Sequence, residues 1–335
     1  MKAIMVEKPG VVRLQDVPEP EVGPKEVLIT VGVCGICGTD LHIIDGEFPP
    51  TVYPIVPGHE FGGTVAAVGP EVVDFHVGDR VGVDPTLNCG ECYFCQRGKG
   101  NLCERWNAVG VGNHSGGFAE RVSVPERSVY HLPEGMSFAA AALIEPVSCV
   151  VHGFHLLKPT IGESYLIYGA GPMGLQNAQL ARYYGASDVA IIDINPKRQE
   201  IARDFGFTTV GSSLDDVKSR APRGFDNVIE ATGKTKVAEL AINAVIRGGK
   251  LLIFGVCPPE EKAGYDVFKI YNDEITIVGS MAVLQSYGPA ISVLQAGALD
   301  VGKMVTDTFP LDQFEDAITK MRTGAGLKIQ IDPAA

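Results

Sequence analysis

The segment SYLIYGAGPMG, residues 164–174, carries the strongest structural signal in the chain. A short apolar strand candidate, residues 164–169, runs directly into a glycine-rich turn with the spacing Gly-x-Gly-x-x-Gly. At a strand-to-helix turn these glycines permit the turn, let a pyrophosphate approach the backbone and let the helix pack on the strand, while the helix N-terminus faces the anion. The residues of this expected nucleotide loop are Gly169, Gly171, Pro172, Met173 and Gly174.

Asp193 indicates which dinucleotide the loop would bind. It lies in the next strand candidate, residues 188–194, and follows Gly174 by 19 residues. A carboxylate at this position accepts hydrogen bonds from ribose hydroxyls and repels a 2′-phosphate, which favours NAD over NADP. Two alternatives stay open, because Arg198 could serve a 2′-phosphate and Asp193 could be a helix N-cap ahead of Pro196.

The sequence pattern continues on both sides of this loop. Residues 163–280 alternate short apolar strands with helical stretches. Near-continuous apolar strands separated by helices are typical of an α/β domain whose parallel sheet is buried on both faces. The remaining strand candidates are residues 226–232, 250–256 and 275–280. The helix candidates are Pro172–Tyr184, Pro196–Phe205 and Lys236–Arg247.

The N-terminal part of the chain differs in character. Residues 1–145 contain valine- and threonine-rich strand candidates separated by proline and glycine turns, which indicates a β domain, and no long helical pattern precedes Phe138. Beyond residue 285 a helix candidate, Gly288–Gln295, leads into residues 305–321, which we expect to return to this first domain. The clearest strand candidates are Glu26–Val33, Gly62–Val68 and Arg80–Val83.

Composition excludes several classes of protein. The 335 residues carry a net charge of −12 and are 45% hydrophobic, which is ordinary for a globular protein with a large core. A disordered chain would have fewer apolar residues, and a protein that binds nucleic-acid backbones would show a basic excess. The longest apolar run, Phe138–Ile144, has seven residues, and the N-terminus does not resemble a signal peptide. We therefore expect a cytoplasmic protein that binds neither nucleic acid nor a membrane.

Four of the eight cysteines lie within one segment of fifteen residues, with the spacing C-x2-C-x2-C-x7-C. Thiolates at such short spacings can converge on one tetrahedral ion, which predicts a structural zinc site in a lobe at residues 88–104. An iron–sulfur cluster is the alternative, but its motifs continue with C-x3-C-P, and this segment does not. The expected ligands are Cys89, Cys92, Cys95 and Cys103.

A second group of candidate metal ligands is spread along the chain. Cys37 lies in GICGTDLH, and His59 and Glu60 lie in PGHE. A thiolate, an imidazole and a carboxylate form a mixed ligand set that can leave a position on zinc open for substrate, as catalytic sites do. Asp40 is close enough in sequence to accept a hydrogen bond from the imidazole. A lone histidine is more often a core or surface residue than a ligand, so the prediction depends on the whole group.

Together these motifs resemble those of the zinc-dependent medium-chain dehydrogenases, the group of alcohol, sorbitol and threonine dehydrogenases. The resemblance covers essentially the whole chain and includes G-x-C-G-[ST]-D-x-H at 35–42 and G-H-E at 58–60, beside the four-cysteine segment and the glycine-rich loop. It implies a GroES-like β catalytic domain, residues 1–150 and 285–335, and a doubly wound Rossmann domain, residues 151–284. It also implies a homodimer or homotetramer.

The resemblance further implies roles for the metal-binding residues. Cys37 and His59 correspond to ligands of a catalytic zinc. Glu60 corresponds to a carboxylate that is a direct ligand in some members and an exchanging one in others. Glu145 resembles the glutamate that replaces the third ligand residue of classical alcohol dehydrogenases in sorbitol dehydrogenases, where it holds the zinc-bound water. Cys149 does not match a ligand position, and we expect it to be a small buried residue.

The implied reaction is hydride transfer from a secondary alcohol to NAD. Thr39 matches the hydroxyl that receives the substrate proton, and His42 matches the later member of the proton relay. Glu145-Pro146 favours a sugar alcohol as substrate, because threonine dehydrogenases typically have an aspartate before this proline. Sorbitol itself is in doubt, since Ala282 stands where sorbitol dehydrogenases carry an arginine. The alternatives are a vicinal diol such as 2,3-butanediol, another secondary alcohol and L-threonine.

Two rival functions remain at this point. One is a non-catalytic zinc- and nucleotide-binding protein, although relatives that lose catalysis usually lose the zinc ligands as well. The other is a zinc-free quinone or enoyl reductase of the same fold, which would favour NADPH and bind no metal at Cys37. Asp193 and the complete ligand set speak against the second.

Overall fold

The computed structural model describes all 335 residues and divides into two compact units. The first unit comprises Met1–Ser148, Val283–Ala296 and Val301–Ala335, and the second comprises Cys149–Ala282 and Gly297–Asp300. Residues 297–300 thus cluster with the second unit, although they lie in the C-terminal stretch that the sequence assigned to the first domain. Their attachment includes a hydrogen bond of 2.8 Å from the backbone N–H of Asp300 to Gln179 Oε1.

The helices and strands follow one another in three groups. The first group is β1 (Lys2–Lys8), β2 (Val11–Asp16), β3 (Glu26–Gly35), α1 (Gly38–Asp45), β4 (Glu60–Val68), β5 (Arg80–Val83), β6 (Thr86–Leu87), β7 (Asn107–Ala108), β8 (Arg121–Pro125), β9 (Val129–His131), α2 (Phe138–Ala141) and α3 (Ile144–Leu157). The second group is β10 (Ser164–Tyr168), α4 (Pro172–Tyr183), β11 (Asp188–Ile192), α5 (Pro196–Asp204), β12 (Thr209–Gly211), α6 (Leu214–Val217), β13 (Phe225–Glu230), α7 (Thr235–Ala241), β14 (Val245–Ile253), α8 (Val267–Asn272) and β15 (Thr276–Gly279). The third group is α9 (Tyr287–Gln295), α10 (Val301–Met304), β16 (Val305–Pro310), α11 (Phe314–Arg322) and β17 (Lys328–Asp332).

The first unit is built on a seven-stranded sheet in the order β16-β17-β3-β4-β5-β9, with β8 also paired to β3. Its pairs are antiparallel except for β16 and β17. The valine- and isoleucine-rich faces of these strands form one large apolar core, which α11 covers with Phe314, Ala317 and Ile318. The spacing i, i+3, i+4 places these three side chains on one face of the helix.

Strand register in this sheet decides which residues meet. Gly35 at the end of β3 pairs with Glu60 at the start of β4, and on its other side with Gln330 of β17. The turn that follows β3 therefore lies beside the residues that precede β4, although the two segments are far apart in the sequence. This junction carries the candidate catalytic ligands.

The second unit is a parallel sheet of six strands in the order β12-β11-β10-β13-β14-β15. In sequence order within the unit this is 3-2-1-4-5-6, the doubly wound arrangement whose direction of winding reverses between β10 and β13. The interior strands are buried on both faces, as the unbroken apolar runs predicted. The α/β prediction is confirmed, and the reversal point marks the edge at which such sheets bind ligands.

Several boundaries differ from the sequence prediction. The helix expected over Lys236–Arg247 ends earlier, as α7 (Thr235–Ala241), because β14 already begins at Val245. The eight-residue helix α1 was not expected in a region of strands and loops. Its apolar residues are too few for a periodic signal, and its stability comes from capping at Cys37 and from burial of Ile43 and Ile44.

One helical segment meets the length and hydropathy criteria for a membrane span. Phe138–Leu157 has twenty residues and a mean hydropathy of 1.5, but 83% of its apolar window is buried inside the protein. Burial of this kind is the property of a core helix, which is apolar because it is surrounded by other elements.

Candidate active site

The predicted catalytic ligands converge in the first unit. One potential ligand atom from each of Cys37, His59 and Glu60 lies within 4.8 Å of the others, and His59 and Glu60 are buried. Cys37 is the N-cap of α1 and places its sulfur at the start of that helix. His59 and Glu60 lead into β4, and the β3–β4 register brings them to Cys37. The set has the mixed sulfur, nitrogen and oxygen donors that catalytic zinc sites use.

Asp40 contacts two of the three candidate ligands, Cys37 and His59. Its Oδ2 accepts a hydrogen bond of 2.8 Å from the backbone N–H of Cys37, and its Oδ1 lies 3.6 Å from His59 Nδ1. Both facing atoms are buried without another partner, so the imidazole directs Nδ1 towards Asp40 and leaves Nε2 for a metal. Burial by itself would lower the pKa of His59, but Asp40 and Cys37 raise it overall.

Lys328 is a member of this site that the sequence did not reveal. Its ammonium group is almost fully buried, forms an ion pair with Glu60 Oε2 and donates a hydrogen bond of 3.1 Å to the carbonyl oxygen of Ile36. Burial would lower its pKa, but Glu60, with a smaller contribution from Cys37, raises it, so the group stays charged. No motif marks this lysine, because only the pairing of β17 with β3 brings it here.

Thr39 and His42 lie on α1, three residues apart, and therefore share one side of the helix. Thr39 Oγ1 lies 3.7 Å from Cys37 Sγ, which places the hydroxyl at the metal ligands. His42 is exposed, and its Nδ1 lies 2.8 Å from Glu47 Oε2. Glu47 thus engages Nδ1, and Nε2 is the ring nitrogen left for a proton relay.

Glu145 is not a member of the three-residue cluster. It is buried in the first turn of α3, and the cluster whose ligand atoms all lie within 4.8 Å of one another comprises only Cys37, His59 and Glu60. Cys149, expected to be buried, has intermediate exposure and lies one turn further along α3. Ala282 adopts a left-handed conformation with φ of 47° in the loop before α9.

The four clustered cysteines form a second, separate group. The distances are 3.9 Å from Cys89 Sγ to Cys95 Sγ, 3.9 Å from Cys92 Sγ to Cys103 Sγ and 3.4 Å from Cys103 Sγ to Cys89 Sγ. A tetrahedron with metal–sulfur bonds of ~2.3 Å has edges of about 3.8 Å, so the cluster has the size that zinc requires. The group is closed, with four sulfur donors, as in structural zinc sites.

Backbone N–H groups point at these sulfurs. Cys103 Sγ accepts hydrogen bonds from the N–H groups of Cys89 and Arg105, and Cys89 Sγ accepts one from Cys92. Donors from Glu91 and Cys92 lower the pKa of Cys89 to about 6, whereas burial and the neighbouring sulfurs raise that of Cys95 to about 12. Four adjacent thiols cannot all ionise without a cation among them, which fits a metal site.

The glycine-rich loop connects β10 to α4 as predicted. Gly169 has φ of 101°, a left-handed conformation that other residues avoid. A Cβ at Gly174 would overlap the carbonyl oxygen of Gly169, whereas one at Gly171 would meet only the guanidinium of Arg198 at 3.0 Å. The first contact is internal packing between helix and strand, and the second position is open to a ligand. Pro172 and Met173 form the first turn of α4.

Asp193 follows β11 at the same edge of the sheet. Its Oδ2 accepts a hydrogen bond of 2.8 Å from the N–H of Ala170 in the loop, and its Oδ1 accepts one from Asn195. The N-cap of α5 is Asn195, whose side chain accepts from Lys197, so Asp193 does not serve as that cap. The carboxylate is thereby held against the glycine-rich loop, with lone pairs left to accept ribose hydroxyls.

Comparison with known proteins agrees with this geometry. Residues 23–134 match the family model of the alcohol dehydrogenase GroES-like domain, and residues 172–296 match that of zinc-binding dehydrogenases. The chain is 37% identical to D-arabinitol dehydrogenase 1 of Uromyces fabae, over 99% of this chain and 97% of that protein. It is 36% identical to D-altritol 5-dehydrogenase of Agrobacterium fabrum (98% and 99% covered) and to L-threonine 3-dehydrogenase of Rhizobium johnstonii (99% and 98% covered).

Solved structures lead to the same family. A zinc-binding dehydrogenase of Sinorhizobium meliloti bound to NADP superposes with a TM-score of 0.94 at 32% identity, covering 99% of each chain. An alcohol dehydrogenase of Escherichia coli in complex with NADH superposes with a TM-score of 0.93 at 30% identity, again over 99% of each chain. The expected GroES-like and Rossmann folds are confirmed. The protein is an oxidoreductase of the zinc-dependent medium-chain dehydrogenase family.

Proposed function

We propose that the protein oxidises a secondary hydroxyl group of a sugar alcohol to the ketone, with NAD as hydride acceptor and with one catalytic and one structural zinc ion. The convergence of Cys37, His59 and Glu60 on one point beside Thr39 carries this proposal. The first unit would be the catalytic domain and the second the NAD-binding domain of a cytoplasmic homodimer or homotetramer.

The residues divide the work between them. Cys37, His59 and Glu60 would hold the catalytic zinc, which supplies Lewis acidity to the substrate hydroxyl, and Glu145 in the first turn of α3 would hold a water molecule at this site. Asp40 keeps the imidazole and the N-cap in place through the contacts described above. Thr39 Oγ1 would take the proton of the substrate hydroxyl, while the carbon that bears this hydroxyl transfers hydride to NAD. 

Further residues of this chain would relay the proton and bind the cofactor. His42 would take the proton from the relay and release it to solvent, since its ring is exposed and one nitrogen is held by Glu47. Gly171 would admit the pyrophosphate, and Asp193 would accept from the adenosine ribose. Arg198 lies above Gly171, where it would meet the phosphates of either dinucleotide.

A sugar alcohol is the preferred substrate because D-arabinitol and D-altritol are the substrates named for two of the most similar relatives. L-threonine is the second candidate, since a dehydrogenase of that specificity is equally similar. Its carboxylate would need a cation, but the buried cation of the metal site, Lys328, is already paired with Glu60. A neutral polyol has no carboxylate and needs no cation in the site.

The test combines metal analysis with a substrate screen. We expect two zinc ions per chain and NAD-dependent absorbance at 340 nm with pentitols or hexitols, and weaker activity with 2,3-butanediol and L-threonine. Cys37→Ser should retain one zinc ion and lose turnover by about a thousandfold or more, while Cys257→Ser, outside both clusters, should behave as wild type. Activity on L-threonine alone would overturn the substrate class, and an active Cys37→Ser would overturn the catalytic site.

A further inference from the structure

Lys328 and Glu60 form a buried ion pair that the proposed catalytic and cofactor-binding roles do not explain. The side chains are 3% and 1% exposed, and no other lysine of the chain is classed as buried. An ion pair of this kind contributes little net stability, because the cost of removing both charges from water offsets their attraction, and a packed apolar pair would serve the fold as well. The position of the pair beside the metal ligands therefore calls for a functional explanation.

Strand register explains how the pair forms. In the antiparallel pairing of β17 with β3, Gln330 lies opposite Gly35, and the N–H of Ile36 donates a hydrogen bond of 2.9 Å to the carbonyl oxygen of Ile329, so Lys328 lies beside the turn that leads to Cys37. Gly35 also pairs with Glu60 on its other side, and a Cβ at Gly35 would collide with Glu60 Oε2. The missing side chain at Gly35 thus lets the carboxylate of Glu60 cross β3 and reach the ammonium group.

The ammonium group touches both segments that carry ligands. It binds Glu60 next to His59, and it donates to the carbonyl oxygen of Ile36, the residue before Cys37. Lys328 and Gln330 point to the same side of β17, since side chains alternate along a strand, while Ile329 and Ile331 belong to the apolar core on the other side. The side chain of Lys328 therefore leaves β17 on the side of the metal ligands, opposite the apolar core.

We propose that Lys328 is a positioning residue that competes with the metal for the carboxylate of Glu60. While the ammonium group holds Oε2, Glu60 cannot give its full charge or both oxygens to the metal, and a coordination position stays available to substrate. This inference deepens the proposed function and rests on its catalytic metal site. It explains why a costly buried cation lies among anionic ligands that would bind a divalent ion more tightly without it.

The test is the rate at which the catalytic-site metal is lost to a chelator, with the four-cysteine zinc as an internal reference. Removal of the lysine charge in Lys328→Met should free Glu60 and slow this loss by about 10–100-fold, the usual size of effects from residues behind metal ligands. In cobalt-substituted protein the visible spectrum should shift towards a higher coordination number. Turnover should fall, because Glu60 would occupy the position that the substrate needs.

Coupling to Glu60 separates this role from a merely structural one. In the Glu60→Gln background the Lys328→Met change should no longer slow metal loss, because no carboxylate is released. Lys328→Gln keeps a donor for Ile36 and Glu60 without the charge, and it should act in the same direction if Lys328→Met folds poorly. Lys320→Met, which removes a lysine paired with Asp307 elsewhere in the first unit, should leave metal loss unchanged.

The outcomes distinguish this inference from the proposed function. The role of Lys328 would be overturned if Lys328→Met lost the catalytic-site metal faster than wild type or at the same rate. It would also be overturned if Lys328→Met slowed this loss equally in the Glu60→Gln background. Neither result would affect the proposal of a zinc site. Wild-type protein that retains zinc only at the four cysteines would overturn the catalytic site itself, and the inference with it.

Discussion

Asp193 shows how one side chain can serve both the fold and the cofactor. Its two carboxylate oxygens accept backbone hydrogen bonds from Ala170 and Asn195, which holds the glycine-rich loop against the end of β11. Each oxygen keeps a lone pair, so the same carboxylate can accept the ribose hydroxyls of NAD. Arg198 lies close to Gly171 and supplies the opposite charge at the same edge of the sheet.

Asp193→Ser is expected to relax the choice of cofactor. The loss of a charged hydrogen-bond acceptor is worth about 1.5–3 kcal/mol, which corresponds to a fall of roughly 10–100-fold in the ratio of kcat/KM for NAD to that for NADP. Serine can still accept the N–H of Ala170, so the loop should survive. The measurement is steady-state kinetics with both cofactors.

Glu200→Gln is the matched control for this change. Glu200 lies on the exposed surface of α5 and its loss removes the same unit of charge without touching the loop. The cofactor ratio should stay at the wild-type value in this variant. A ratio that is unchanged in Asp193→Ser, or that moves equally in both variants, would show that Asp193 does not select the cofactor.

At the scale of an element, the β10–α4 connection separates glycines required for folding from those required for binding. Gly174 is needed for packing, because a Cβ there would overlap the carbonyl oxygen of Gly169. Gly171 has φ of −76°, which any residue can adopt, and its Cβ position faces only the flexible end of Arg198. The two positions of one motif therefore have different physical reasons for being glycine.

We expect the alanine variants at these two positions to fail differently. Gly174→Ala should destabilise the protein by about 2 kcal/mol or more, because the helix must move off the strand. Gly171→Ala should keep the thermal midpoint of wild type yet bind NADH about tenfold or more weakly, because the new methyl group occupies the approach of the pyrophosphate. Thermal unfolding and a titration of NADH fluorescence measure the two effects. Equal loss of stability in both variants would contradict this division.

At the scale of the whole molecule, the C-terminal segment completes the first unit. β17 is inserted between β16 and β3, so a sheet begun near the N-terminus is finished by the last strand of the chain. Arg322 of α11 adds a bidentate ion pair with Asp45 of α1, at 2.9 and 2.6 Å, across 277 residues of sequence. This return also delivers Lys328 to the metal ligands.

Arg322→Gln is expected to cost only about 0.5–1 kcal/mol at neutral pH, because the pair is partly exposed and screened by solvent. The bond from Arg322 lowers the pKa of Asp45 in the folded protein. The stabilisation is therefore complete above the unfolded-state pKa of about 3.9 and is lost as pH falls through the lower folded-state pKa. The free energies of unfolding of wild type and variant, measured with denaturant, should differ at pH ~7 and become equal at about pH 2–3.

Lys218→Gln provides the comparison for this prediction. Lys218 pairs with Asp215 three residues away in an exposed stretch of the second unit, so its loss should change stability by less than about 0.5 kcal/mol. A difference between wild type and Arg322→Gln that persists unchanged at low pH would mean that Arg322 acts through packing and not through Asp45.

Much of the site could be predicted because its signals are local. The glycine spacing between residues 169 and 174 specifies a turn that a few residues build by themselves, and the four cysteines between residues 89 and 103 can reach one ion within a single loop. Unbroken apolar strands predicted the parallel sheet for the same reason, since burial on both faces acts on each strand separately. Cys37, His59 and Glu60 are linked by the chemistry of a mixed ligand set and by the family resemblance, since no short spacing connects them.

The tertiary structure decided what depends on neighbours far apart in the chain. The register of β17, β3 and β4 brings Lys328 to Glu60 and Ile36. Because Gly35 has no side chain, the carboxylate of Glu60 can pass beside it and reach Lys328. The short helix α1 forms because its cap at Cys37 and its buried isoleucines are stabilised by contacts outside it. Local patterns record the preferences of a segment, whereas the charge and ligand environment of the metal site depends on which strands pair, and that pairing is set by the packing of the whole sheet.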